Sequence, residues 1–384
     1  MTSVSPSSLH RIIPIIFSMV LVLATLVSGC REQSEAKTKE KTATVKMDRP
    51  VKLVIPKNGA YTGAYVDFGE GEAQVTYDAL TGFEQLTGKP LATVAFGNFW
   101  GDQAFPEKTV RIISGYGAVP LIFWSPWDKP YEEAKGPDRF GLHEILAGKW
   151  DGYIDAWADS ARQYGKPLLV TWGLEMNGTW FPWSGCFYGG NKVIGHKDGH
   201  PLYEGPELYK QAYRYVVDRV RAKKATNILW GFHANNYSSP RSAWNRMNSY
   251  YPGPNYVDWL GLSVYGKMSK SEGWADFDSM MAEPYADICK LDPNKPVFLA
   301  EWGVGEFPPG NKAGFIAEAF SLMPSKYPRV KVAVFWHERW ENKDGSYSNL
   351  RVNSSPEALE AYRTGIASPY WIDRPQFEQK DSGP

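Results

Sequence analysis

Cysteine is scarce in this chain, with three residues among 384, Cys30, Cys186 and Cys289. No CxxC spacing occurs, so neither a disulfide framework nor a zinc ribbon is available. Cys186 and Cys289 could pair in an oxidising compartment or remain free or buried thiols, and the sequence leaves both open. An excess of one charge is also missing, since 42 Lys and Arg balance 42 Asp and Glu. Nucleic acid is therefore not an expected partner. No Gly-rich phosphate loop follows the first strand-like run, which disfavours a doubly wound nucleotide-binding sheet. No G-x-S-x-G elbow appears, which disfavours a Ser-His-Asp hydrolase. His196, Asp198 and His200 in "HKDGH" resemble metal ligands, but no further ligand is evident and such loops are more often solvated. No metal or cofactor is expected.

Only one apolar run is long enough to suggest a membrane, Ile12 to Val27, and it follows His10 and Arg11. A basic start, an apolar middle and small residues before Cys30 describe an export signal rather than a transmembrane helix. "LVSGC" (Leu26 to Cys30) resembles the bacterial lipobox, which implies lipidation of Cys30 and anchoring to the bacterial cell membrane. Arg31 in place of Asp resembles outer-membrane sorting if the cell is Gram-negative. Arg31 to Pro50 is rich in Lys, Glu, Thr and Gln and reads as a solvated tether. The expected organisation is a signal peptide over 1–29, a tether over 30–52, one domain over 53–375 and a polar tail over 376–384.

What the chain has in abundance is aromatic side chains, including 16 Trp and 22 Tyr. They cluster in "FWSPW", "TWFPW", "EWG" and "FWHERW", at the ends of apolar runs. Eight such runs recur, over 63–68, 92–99, 119–126, 166–175, 227–235, 257–266, 295–303 and 330–338. Near-continuous apolarity over this length suits strands buried on both faces of a parallel sheet. Amphipathic segments at 206–225, 313–323 and 354–367 read as helices, the last opening with a serine cap and a proline in its first turn. The stretch between the fifth and sixth runs is poorly helical. Eight alternating units predict an α/β fold closed into a (β/α)8 TIM barrel.

In such a barrel the site lies at the C-terminal ends of the strands. Run four ends at Glu175, run six at Tyr265, run seven at Glu301 and run eight at Trp336, His337 and Glu338. His233 and Asn235 end run five and face the same mouth. Two carboxylates across a barrel mouth suit glycoside hydrolysis, in which one acid protonates the leaving oxygen and the other attacks the anomeric carbon. Apolar walls raise the pKa of a carboxyl, as a general acid requires. Pyranose C–H faces stack on indole, which gives the tryptophans a reason to border the acids. Glu306 and Glu338 are carboxylates near strand ends for which structural roles are expected.

"LEMNGTWFPWSG" (174–185) resembles the acid/base motif of glycoside hydrolase family 26, usually His-Glu-Met-Asn-Gly followed by aromatics. "PVFLAEWG" resembles that family's nucleophile strand, "FWSPWD" its third strand end and "LRVNSSPEALEAYR" the start of its C-terminal helix. The likeness runs in order from about Gly63 to Trp371. It implies a (β/α)8 barrel, retention of configuration and β-linked polysaccharides as substrates. Carried over by position, it makes Glu175 the acid/base, Glu301 the nucleophile and Tyr265 the phenol bonded to that nucleophile. Trp336 would lie beneath the sugar being cleaved, with Trp180, Trp183, Trp124, Trp127 and Asn177 in the substrate-binding set. Two positions depart from the pattern, Leu174 for His and Ser125 for Glu, and both bear on substrate choice. Mannan and mixed-linkage β-1,3-1,4-glucan are the expected substrates, attacked within the chain by a monomer. A non-catalytic glycan-binding lipoprotein and a transglycosidase of exopolysaccharide processing are the alternatives.

Overall fold

All eight apolar runs contain strands, and the strands pair in chain order. They are β1 (Ala60–Val66), β2 (Thr93–Phe99), β3 (Val119–Ser125), β4 (Leu168–Trp172), β5 (Ile228–Asn235), β6 (Trp259–Tyr265), β7 (Val297–Gly303) and β8 (Val330–His337). Each lies parallel to its neighbour, and β8 pairs with β1 from Val332↔Tyr61 to His337↔Val66, which closes the (β/α)8 barrel. This is a computed structural model; it describes residues 51–68, 74–128, 134–342 and 344–379. The expected signal peptide, Cys30 and almost all of the expected tether lie outside the described residues.

Residues of β1, β3, β6 and β7 are buried without a break. A strand with barrel interior on one face and helices on the other has no solvent side, so it needs no polar alternation. The helical layer comprises α1 (Tyr77–Thr87), α2 (Glu107–Tyr116), α3 (Asp151–Tyr164), α4 (Glu204–Ala222), α5 (Phe277–Leu291), α6 (Lys312–Ser325) and α7 (Pro356–Ile366). Ser355 caps α7 by accepting from Ala358 N, with Pro356 in the first turn, as its sequence predicts. The poorly helical stretch after β5 holds only a single turn, Ala243–Asn245, and a short helix, Met247–Tyr250. The segment over 186–207 forms an antiparallel hairpin, Val193–Lys197 with His200–Tyr203, before α4 begins. His196 and His200 are exposed on it.

Strand Val51–Leu53 pairs antiparallel with Phe377–Gln379, so ordered structure reaches into residues expected as tether and tail. Nine of the 16 tryptophans are among the largest fully buried side chains, including Trp100, Trp124, Trp157 and Trp172. Most of the aromatic surplus is therefore core. Each large ring removed from such a core would cost about 3–5 kcal/mol.

Candidate active site

The acid loop is made where β4 stops. Gly173 has φ 58°, and a Cβ on it would come within 3.2 Å of the Tyr209 ring. Two residues later Glu175 itself has φ 51°. A residue with a Cβ in this left-handed region carries roughly 1–2 kcal/mol of strain and persists only when its surroundings hold it. The hold is visible: Glu175 N–H donates to His233 O at 2.7 Å, and Gly178 N–H donates to Glu175 O at 2.9 Å. This turn aims the carboxyl inward over the barrel.

Asn177 locks the loop. Its Nδ2 donates to Asn235 O at 2.9 Å and Ser238 Oγ at 3.2 Å, while its Oδ1 accepts from Asn235 N at 3.0 Å. Its backbone oxygen accepts from Asn245 Nδ2 at 2.8 Å and Ser239 N at 2.9 Å. Asn177 is fully buried, and its amide is spent on clamping the loop against the end of β5.

The Glu175 carboxyl is buried but well supplied with donors. Trp180 Nε1 donates to Oε2 at 2.7 Å, and Asn235 Nδ2 donates to Oε1 at 2.8 Å. Burial raises its pKa, and bonds from Ser263, Asn235 and Trp180 partly oppose that rise. Glu301 lies on β7 beside Ser263 of β6, at a register shift between the two strands. Tyr265 donates its phenol to Glu301 Oε2 at 2.7 Å. Burial and the Glu301 charge push the Tyr265 hydroxyl well above its ordinary value, so it stays a donor. One carboxylate oxygen of Glu175, one of Glu301 and one ring nitrogen of His233 all lie within 4.8 Å of one another. All three are buried.

These atoms are wired to neutral proton donors. Trp180 and Asn235 hold Glu175, Tyr265 holds Glu301, and Ser263 is 2.8 Å from His233 Nε2. That wiring suits proton transfer and charge stabilisation on carboxylates. Beside it, the Trp336 indole stacks on Tyr65 with centroids 4.0 Å apart and planes at 8°, and Nε1 donates to Glu338 Oε2 at 2.7 Å. Trp336 is half-buried, with a ring plane fixed from below. The Glu338 carboxyl is pushed up to about 7, chiefly by burial, with Asp67 adding to it.

Other expected sugar contacts lie elsewhere. Trp124 is fully buried, stacked on Trp157 at 4.1 Å and donating Nε1 to Tyr153 OH, so it packs the strand against α3 rather than facing the mouth. Trp183 is also buried; it donates Nε1 to Leu174 O at 2.7 Å and stacks on Phe181. It supports the acid loop from behind. Trp127 packs edge-on to Phe181 and Trp183. Glu306 accepts from Ser354 and Ser355 hydroxyls and so braces the start of α7. Cys186 and Cys289 are free thiols.

Sequence reasoning missed Ser263 and Tyr65 and found no role for Asn235. The signal was faint but present: Ser263 is the lone serine inside "WLGLSVYG", and it sits in register with Asn235.

Residues 145–300, which span β4, the acid loop, β5, β6 and the first part of β7 but stop one residue short of Glu301, match the family model described as glycosyl hydrolase family 26. The chain is 31% identical over 317 residues to Endoglucanase H of Acetivibrio thermocellus, covering 81% of this chain and 31% of that protein. It is 27% identical over 249 residues to mannan endo-1,4-beta-mannosidase of Bacillus subtilis (strain 168), covering 63% of this chain and 58% of that one. The chain thus spans between about a third and three fifths of these relatives. A solved structure, Bacillus subtilis mannanase man26, shares the fold with a TM-score of 0.54 at 18% identity, over 83% of this chain and 87% of that chain. Over residues 145–300 this chain is thus similar to glycoside hydrolase family 26, and with the solved structure it shares the barrel fold.

Proposed function

We propose that this chain is a retaining, endo-acting β-glycoside hydrolase that cleaves a β-linked polysaccharide by double displacement. The observation that carries the reading is the approach of Glu175 and Glu301 to within 4.8 Å, each buried and each held by its own donors. Retaining enzymes keep their two carboxyls about 5–5.5 Å apart, whereas inverting enzymes leave room for a water at about 6.5–9.5 Å.

The steps follow from the wiring. Glu301 attacks the anomeric carbon while Glu175 gives its proton to the departing glycosidic oxygen. The C–O bond to the leaving sugar breaks as the bond to Glu301 forms. Glu175, now a carboxylate, takes a proton from water, and the hydroxide equivalent displaces Glu301 and restores it. Burial raises the Glu175 pKa for the first step, and the donors around it stabilise the carboxylate needed for the second. Tyr265 supports the charge on Glu301 until attack.

Mannan and mixed-linkage β-glucan are the proposed substrates. The relatives named endoglucanase and mannan endo-1,4-beta-mannosidase support that pair. Leu174 favours a second reading, a glycan-binding protein that has lost turnover, because leucine offers a sugar hydroxyl no hydrogen bond. Assaying release of reducing ends from barley mixed-linkage glucan, galactomannan, glucomannan and xylan separates the two. We expect cleavage of at least one, abolished in both Glu175→Ala and Glu301→Ala. Tight binding without cleavage of any would favour capture, and products longer than the substrate would favour transglycosylation. With an activated aryl glycoside, azide should rescue Glu175→Ala as a β-glycosyl azide and Glu301→Ala as the α-glycosyl azide of inverted configuration.

The expected export signal and "LVSGC" support a second proposal, that a lipid attached to Cys30 anchors the enzyme to the bacterial cell membrane. Cys30→Ser should then move from the membrane fraction to the soluble fraction of the producing cell. Unchanged fractionation would discard the anchor.

A further inference from the structure

The mechanism needs Glu175 to carry a proton in its first step and to be free of one in its second. A group that steadies it in both states must donate a hydrogen bond and never compete for the proton. Asn235, the last residue of β5, has that form. Its Nδ2 lies 2.8 Å from Glu175 Oε1. Every other polar group of this residue is tied down. Its backbone N–H donates to Asn177 Oδ1 at 3.0 Å, its carbonyl accepts from Asn177 Nδ2 at 2.9 Å, and its Oδ1 accepts from the Tyr237 N–H at 2.9 Å.

Chemistry fixes which way the amide faces. A peptide N–H can only donate, so the side-chain atom that Tyr237 meets is the oxygen. The reverse sense would set an NH2 group against the Tyr237 N–H. Nδ2 therefore faces Glu175 whatever the charge there. It donates to the neutral acid before proton transfer and to the carboxylate afterwards. Trp180 Nε1, on Oε2, is likewise a donor only. Neither of these two neighbours can accept the acid's proton, so neither competes with the departing oxygen of the sugar. The bond tightens as charge develops, because donors hold ionised acceptors roughly twice as firmly as neutral ones.

We propose that Asn235 is a positioning residue for the acid/base: its backbone is pinned to the acid loop and its oxygen to its own turn, so that its side-chain N–H reaches Glu175 as a fixed donor through both steps. This rests on the reading of Glu175 as acid/base. The turn has a local origin, since a side-chain oxygen that reaches the N–H two residues on is an Asx turn, open to asparagine and aspartate alike. Only asparagine then leaves a donor for the acid. The titratable groups near Glu175 are His233 on β5, Tyr265 on β6 and Glu301 on β7. Burial keeps His233 neutral, with its pKa down to about 3, and Tyr265 stays protonated.

The test compares Asn235→Asp and Asn235→Ala in the full chain. Asn235→Asp exchanges only the NH2 group for an oxygen, and the Tyr237 and Asn177 bonds can all remain; near-ultraviolet circular dichroism checks that the fold is kept. Glu175 is titrated by carbon NMR of carboxyl-labelled glutamate, its signal assigned by disappearance in Glu175→Gln. Two carboxyls face to face share a proton, so in Asn235→Asp the Glu175 titration should rise by roughly two pH units. Asn235→Ala only removes the donor and should raise it by about one unit. The alkaline limb of kcat/KM should follow the titration in each variant. In Asn235→Ala kcat should fall roughly tenfold with KM little changed, and in Asn235→Asp it should fall further. Superimposable Glu175 titrations in wild type and Asn235→Asp would overturn the proposal, as would an alanine variant that loses Tm or gains KM with its titration unmoved. The titration needs no turnover, so a chain that cleaves no glycan would sink the proposed function while the shift is still read.

Discussion

Trp180 and Glu175, five residues apart, are joined by a 2.7 Å hydrogen bond from indole Nε1 to carboxylate Oε2. The aromatic beside the acid is therefore part of the acid's own electrostatics. Trp180→Phe keeps a ring but removes the donor. A donor to the carboxylate lowers its pKa, so losing it adds to the upward push of burial. The alkaline limb of kcat/KM should move to higher pH by up to about one unit, with kcat reduced about tenfold. A pH profile that keeps its limb while KM alone rises would mean that Trp180 serves only as a sugar platform.

Asn177 stood in the sequence either as a sugar contact or as a support of the loop, and its burial predicts the phenotype of a support. Asn177→Ala leaves the Asn235 N–H and carbonyl without their amide partner in a dry loop. Loss of about 2–4 kcal/mol of stability is expected, read as a clear drop in Tm. Released from its clamp, Glu175 should also lose kcat. An unchanged Tm with a raised KM would return Asn177 to the sugar.

The contrast shows where sequence reading worked. Strand runs were legible because a barrel strand buried on both faces writes its position as continuous apolarity. The two acids were legible because each interrupts such a run at its C-terminal end. What could not be read was which way a tryptophan points. Trp124 and Trp336 both sit at the ends of strands, yet one packs on Trp157 in the helical layer and the other stacks on Tyr65 at the mouth. Strand parity decides between them, and a shift such as the one between Leu299 and Glu301 resets parity without a mark in composition. Ser263 was hidden for a related reason, since its importance comes from a cross-strand neighbour.

Tyr265→Phe is a clean probe of the nucleophile. The ring fills the same buried space, and only the 2.7 Å bond to Glu301 is lost. An oriented donor to a reacting oxygen contributes in the range of 10- to 1,000-fold, so kcat/KM should fall by about 100-fold with Tm changed by no more than a few degrees. Pre-steady-state kinetics on an aryl glycoside should place the loss in formation or breakdown of the glycosyl-enzyme. A variant within twofold of wild type would show that Glu301 needs no such partner.

Glu338 offers a test in which stability and pH are linked. Burial and Asp67 push its carboxyl up to about 7 from an ordinary 4.5, against the opposing pull of Trp336 and Arg351. A folded-state pKa above the unfolded one means that the native protein holds this proton more tightly. The resulting stabilisation is complete below pH 4.5, declines as pH rises, and is gone above about pH 7. Glu338→Gln keeps an oxygen for the Trp336 indole but cannot ionise. Wild type and variant should melt together at pH 4, and the variant should melt higher at pH 8. The gap should open between those pH values and then stay flat, amounting to about 1–2 kcal/mol once solvent at the half-buried carboxyl is allowed for. Glu175 also has a raised pKa, but it is common to both proteins and cancels in the difference. A gap of the same size at pH 4 and pH 8 would assign the effect to packing around Trp336 rather than to the charge on Glu338.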